Sequence, residues 1–207
     1  MDLDFNSTFL YVLRWFHIFF GIIWIGHLYF FNFVNVPFQG ALDKDCKPKV
    51  NPILLPRALW WFRWGAMMTF VFGLVLLFTK YGMPGAEGNL WKDTEGNLTG
   101  RAQWIMMGAT LGTIMWFNVW FVIWPAQKQI ITWVKAGQAP AEMPALAKRA
   151  LLFSRANTYL SGPMLFCMIA PNNFGYFSWP IFIGVSAFAV FNVWGMIRMS
   201  FKVGQDI

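Results

Sequence analysis

The sequence predicts an all-α, polytopic membrane helix bundle of about five transmembrane helices, with residues 1–207 forming a single transmembrane domain. Three observations predict it. The chain is 57% hydrophobic and only 12% charged, outside the range of ordinary soluble domains. Five stretches reach the roughly 20 mostly apolar residues that a spanning helix needs. The basic residues are sorted unevenly into the connections between those stretches, as loops on the two sides of a membrane are.

The expected spans cover residues 9–36, 59–78, 104–124, 150–170 and 179–201. The first follows an acidic segment, MDLDFNST, where a secretory signal would be basic. Its apolar run is also too long for a signal core, so this helix is expected to stay in the mature protein. Turn-forming residues mark the other limits: VPFQG after the first span, LLPR before the second and YGMPG after it, WPAQK after the third, and SWP before the fifth. The connection 81–101 is rich in Gly, Asn and charge, with Leu90 and Trp91 as its bulky apolar pair, and reads equally as an ordered cap or a mobile loop. After the third span, QKQIITWVKAG continues a helical pattern to Gly137 and breaks at QAPAEMP. Ile130, Ile131, Trp133 and Val134 are expected to lie on the inner membrane surface. With the N-terminus outside, all of the 16 Lys and Arg except Arg14, Lys80, Lys92 and Arg101 fall inside, and Asp2, Asp4, Glu87, Asp93 and Glu95 fall outside. The positive-inside rule thus predicts N-terminus outside and C-terminus inside.

The net charge of +7 comes from residues scattered between apolar runs and forms no continuous basic patch, which argues against nucleic acid as a partner and for lipid. Thirteen Trp and 23 Phe suit lipid-facing and interfacial positions. Cys46 and Cys167 have no CxxC or CxxCH context, so the sequence gives no ground for a cysteine metal knuckle or a covalently attached haem, and both are expected to be free thiols.

Ionisable residues within a span are costly and mark candidate functional positions. Both histidines lie in the first span, in RWFHIFFGIIWIGHLYFFN. His17 and His27 are ten positions apart, about 15 Å along a helix, so they cannot share a metal. His17 is the candidate metal ligand, because imidazole is a common axial ligand of haem iron and Gly21 clears space one turn on. Arg14, one turn outward, is placed to pair with a propionate. The competing reading is a packed histidine bonded to a neighbouring helix, with Arg14 reaching to headgroups. His27, Asn32 and Asn35 suggest a polar stripe facing the bundle interior, used for interhelical hydrogen bonds. Arg63 lies inside the second span, where it can reach to the interface, meet a lipid phosphate or hold an acidic cofactor group. Gly108, Ala109 and Gly112 suit close packing of the third. Of the methionines, Met106 is a candidate second axial ligand. No acid pair, nucleophile set or phosphate loop is present, so catalysis by this chain alone is unsupported.

Four stretches resemble the membrane domain at the N-terminus of bacterial cytochrome-type urate oxidases: LRWFHIFFGIIWIGHLYFFN, LWWFRWGAMMTFVFG, GATLGTIMWFNVWFVIWPAQKQI and SRANTYLSGPMLFCMIAPNN. The third and fourth are the most specific. The resemblance implies a multi-span domain of the bacterial inner membrane, a haem ligated at the position of His17, and a cytochrome c partner carrying electrons away. The sequence departs from that pattern where family histidines align with Met106, Ala156 and Asn172 or Asn173, where an acidic position near Gly65 is lost, and where a C-terminal cytochrome c domain would follow. Two readings result. One is a non-catalytic membrane subunit of a larger, redox-linked complex with other membrane-protein subunits, urate oxidation itself not being expected. The other is an electron-transfer subunit or oxidase membrane domain with one haem b on His17, with Arg14, Gly21 and Met106 around it.

Overall fold

The computed structural model describes residues 4–82 and 91–204. Its helices are α1 (Phe5–Tyr29), α2 (Val36–Ala41), α3 (Lys47–Leu77), α4 (Gly100–Phe117), α5 (Trp124–Lys135), α6 (Met143–Ile169) and α7 (Trp179–Ser200). No strand forms among the described residues beyond a single bridge between Lys92 and Leu98. Residues 83–90, which hold part of YGMPG, Glu87 and Leu90, lie outside the described residues, as does Asp2.

Several expected boundaries are not helix ends. A π turn at Phe30–Asn35 joins α1 to α2, and another at Asn118–Ile123 joins α4 to α5. Apolar rods of 37 residues (Phe5–Ala41) and 36 residues (Gly100–Lys135) result. The reason lies with Pro37 and Pro125, each in the first turn after a π turn. In a regular helix a proline lacks the N–H that bonds four residues back, and its ring strikes that carbonyl. Here the preceding amides reach one residue further, Val36 to the Phe31 carbonyl and Trp124 to the Val119 carbonyl. The widened turn accommodates the ring, so VPFQG and WPAQK continue the helix instead of stopping it. LLPR is likewise interior: α3 begins at Lys47 and contains Pro52 and Pro56.

α1 lies antiparallel along α3 through small residues. Gly65, Thr69 and Gly73 repeat every four positions on α3 and face Trp24, Gly21 and His17 in descending order. A Cβ added at Gly65 would sit 3.0 Å from the Trp24 nitrogen, and one at Gly21 would meet the Thr69 methyl at 3.8 Å. Small residues every fourth position let helix backbones approach closely where lipid offers no hydrophobic drive for association. Gly108 does the same for α4 against α6, 3.1 Å from the Cys167 Cβ, whereas Gly112 faces nothing within 4 Å. Both cysteines are free.

α6 contacts α4, α5, α7, α1 and both interhelical π turns. Its 27 residues rise about 40 Å, enough to cross a bilayer. Unlike α7 and the rods containing α1, α3 and α4, it is not apolar enough to qualify by composition. Its polar residues turn inward: Ser154, Asn157, Thr158 and Ser161 are all buried. The main core gathers Trp24, Leu28, Phe62, Met115, Val119 and Met164, while Trp104, Cys167 and Ala170 form a second cluster at the end bearing the chain start of α4.

Ile131 of α5 departs from the membrane-surface expectation. Ile131 is 9% exposed and belongs to the main core, because α5 continues the α4 rod and packs on α3 and α6. The end of α5 does match the sequence: Gly137 has φ +67°, a left-handed conformation suited to glycine.

Asn157 accepts a hydrogen bond from the Asn118 amide at 2.8 Å and donates to the Met115 carbonyl at 2.9 Å. Asn157→Ala is expected to lower stability in detergent by about 1–3 kcal/mol, because a buried donor is left unpaired; SDS-titrated unfolding followed by circular dichroism reads it. At the start of α1, Asp4 accepts from the Ser7 hydroxyl and from the Ser7 and Asn6 amides. These bonds, the Ser7 hydroxyl foremost, hold its carboxyl below the ordinary aspartate value. The contribution is present above the unfolded-state pKa and lost as pH falls through the depressed folded value. Amide protection at Ser7, corrected for intrinsic exchange, should therefore collapse on acidification, and Asp4→Asn should flatten that dependence.

Candidate functional site

α1 presents the residues expected to hold a cofactor. Arg14 is exposed, and His17 is half-buried against α3. The His17 Nδ1–H donates to the Thr69 carbonyl at 2.9 Å. A carbonyl can only accept, so Nε2 of the neutral ring carries the lone pair. Gly73 makes room for the ring, since a Cβ there would lie 2.9 Å from the His17 Cε1 and 3.1 Å from its Nδ1. Gly21 lies on the same face, against Thr69. Phe16 and Phe20 stack on Phe72 beside this seam, at 5.1 and 5.8 Å.

Met106 is not brought to this place. It is 38% exposed on α4, which packs chiefly on α6, whereas α1 packs chiefly on α3. The other positions aligned with family histidines are also apart: Ala156 is exposed on α6, and Asn172 accepts from Arg101 at 2.9 Å beyond its far end. A haem fits these residues on one side only. His17 presents a nitrogen lone pair in the tautomer an axial ligand requires, fixed by a carbonyl as metal-binding histidines are, but the arrangement supplies no second ligand from Met106. No group of three or more His, Cys, Asp and Glu side chains gathers among the described residues.

Among the described residues, His27 bonds within its own helix and not to a neighbouring one. Its Nδ1 donates to the Ile23 carbonyl of its own helix at 2.7 Å, because the carbonyl one turn back is within reach of any helical side chain with a short donor arm. Asn35 likewise stays local, accepting from Gln39 at 3.4 Å. Asn32 does face the interior, fully buried, and donates to the Leu28 carbonyl and the Ser154 hydroxyl at 3.0 and 2.8 Å. Its Oδ1 is buried with no donor.

The most extensive polar construction is one the span-by-span reading overlooks. Ser154, Asn157, Thr158 and Ser161 fall at the i, i+3, i+4, i+7 spacing of one helix face, and that face meets both interhelical π turns. Ser161 donates to the Thr158 carbonyl, so the Tyr29 hydroxyl donates to Ser161, at 2.9 Å. With Asn32 on Ser154 and Asn118 on Asn157, the two rods Phe5–Ala41 and Gly100–Lys135 are both tied to α6. The SRANTYLSG periodicity was the available signal.

The open groove of about 600 Å³ between α5 and α6 is lined by Gln129, Trp133, Glu142, Ala145, Leu146 and Arg149 and lies away from His17.

The His17 seam generates a direct test. Gly73→Ala forces the imidazole to shift and is expected to cost about 1–3 kcal/mol. Gly112→Ala, with open space around it, should be near neutral. Thermal melting of the two detergent-solubilised variants compares them.

A sequence model of the urate oxidase N-terminal family matches residues 89–204, which include α4 through α7 and therefore the whole Ser154–Ser161 stripe with Asn118. Arg14, His17 and Gly21 precede the matched stretch. No curated protein matches the chain, and no solved structure does. The match covers more than half of the chain, and with the all-helical bundle of spanning length around it, the chain belongs to the urate oxidase N-terminal family.

Proposed function

We propose that this protein is a non-catalytic integral membrane subunit of a larger membrane complex, redox-linked and seated in a bacterial inner membrane with its N-terminus outside, in which partners carry the chemistry. The observation that carries the proposal is how the bundle uses its polar side chains. Asn32, Asn118, Asn157, Ser161 and Tyr29 hold helices to one another, an assembly role, and among the described residues no group of three or more His, Cys, Asp and Glu side chains gathers. The family membership supplies the scaffold, and a cytochrome c partner is what the resemblance implies for it.

A second reading is favoured by one observation, the His17 Nδ1 bond to the Thr69 carbonyl. It leaves Nε2 as the ligating nitrogen for a haem b, with Arg14 one turn away for a propionate. A haem bound there would supply one-electron transfer to a cytochrome c partner. The role of this chain would be to fix the ring orientation through Thr69 and Gly73 and to pair the propionate charge.

Purification in mild detergent with native partners, followed by a reduced-minus-oxidised visible spectrum of wild type and His17→Ala, separates the two. The proposal expects co-migration with partners on a native gel in both forms and no b-type absorbance that depends on His17. A b-type signal abolished by His17→Ala overturns it in favour of the second reading. A chain that is monomeric and free of partners under the same conditions overturns the subunit assignment itself.

A further inference from the structure

Arg63 is a cation set inside the apolar part of α3 with no carboxylate of the described residues paired to it. Its guanidinium lies over the Trp124 ring at 3.8 Å and is flanked by Trp120 and Trp64 at 5.8 and 5.9 Å. Trp120 is itself fixed, donating its indole N–H to the Arg63 carbonyl at 3.1 Å. The Arg63 Nε is buried without an acceptor, and no acceptor among the described residues bonds the Nη edge. Aromatic faces orient a guanidinium and partly offset its desolvation, but they accept none of its hydrogen bonds. A positioned cation with an unused donor edge calls for an oxyanion, and a planar fork of this kind suits phosphate.

The surroundings indicate the source. Trp60, Trp61 and Trp64 are exposed on the same stretch of α3 at 46%, 51% and 39%, with Trp120 and Trp124 alongside. Such a belt marks the level of the membrane–water boundary, where lipid phosphates lie. Arg57 differs, since its Nη1 is already bonded to the Ile53 carbonyl at 2.6 Å.

We propose that Arg63, held by Trp64, Trp120 and Trp124, binds the phosphate of a phospholipid headgroup at a defined site on the α3–α5 face. The lipid closes the α3–α5 contact from outside and satisfies the guanidinium edge that the protein leaves open.

Native mass spectrometry of the full chain, delipidated in detergent and titrated with phosphatidylglycerol, tests this. Arg63→Gln is expected to weaken the first lipid bound by about tenfold or more, the scale of a lost charge-assisted hydrogen bond, while Arg57→Gln leaves it unchanged. In wild type, diacylglycerol with the same chains but no phosphate should bind at least about tenfold more weakly on the same grounds, a comparison that needs no variant to fold. Millimolar inorganic phosphate should not displace the lipid. Equal binding by wild type and Arg63→Gln, an equal loss in Arg57→Gln, or equal binding of diacylglycerol overturns the proposal. Displacement by inorganic phosphate also overturns it, by assigning the site to a soluble oxyanion.

Discussion

The bundle is organised by the amide bridge between Asn118 and Asn157 and the polar face of α6 to which it belongs. In hydrocarbon, apolar surfaces gain nothing by leaving lipid for one another, so packing and hydrogen bonding must set which helices meet and in what register. Asn157 meets both needs at once, accepting from the Asn118 amide and donating to the Met115 carbonyl. Ser154 and Ser161 take Asn32 and Tyr29 from the first rod. A helix too polar to cross a membrane alone thereby becomes the one that most of the others surround, its polarity hidden from lipid by its neighbours.

The π turns make that convergence geometrically available. Each precedes a proline, and each widens the helix where the proline ring would otherwise break it. Asn32 and Asn118 sit inside these widened turns, where an extra residue rotates the helix face relative to a regular α-helix. Both asparagines bond to α6. The turn before α5 also carries Trp120 and leads to Trp124, which is how three indoles come to surround Arg63.

The hairpin of α1 and α3 is built on a different principle. Gly65, Thr69 and Gly73 bring its backbones together, and His17 enters the seam with its Nδ1 committed to a backbone carbonyl. The family match begins beyond this hairpin, so the histidine seam and the asparagine network belong to separately recognisable parts of the chain, joined chiefly through Asn32, Tyr29 and the shared core around Leu28 and Met164.

Composition and the length of apolar runs were enough to determine an all-helical bundle with helices long and apolar enough to cross a membrane, because the cost of exposing backbone and charge to hydrocarbon acts on every stretch locally. Gly137 as a helix end and Asn32 as an interior residue were legible for the same local reason. The continuity of helices through Pro37 and Pro125 was not, since it depends on π turns that neighbouring helices stabilise. Nor was the bonding of His27 to its own helix, because one sequence spacing serves a local and an interhelical bond equally well. Which face of α6 turns inward, whether Met106 meets His17, and what surrounds Arg63 were decided only in the tertiary structure, where partners from distant segments determine which polar groups are satisfied and which are left open.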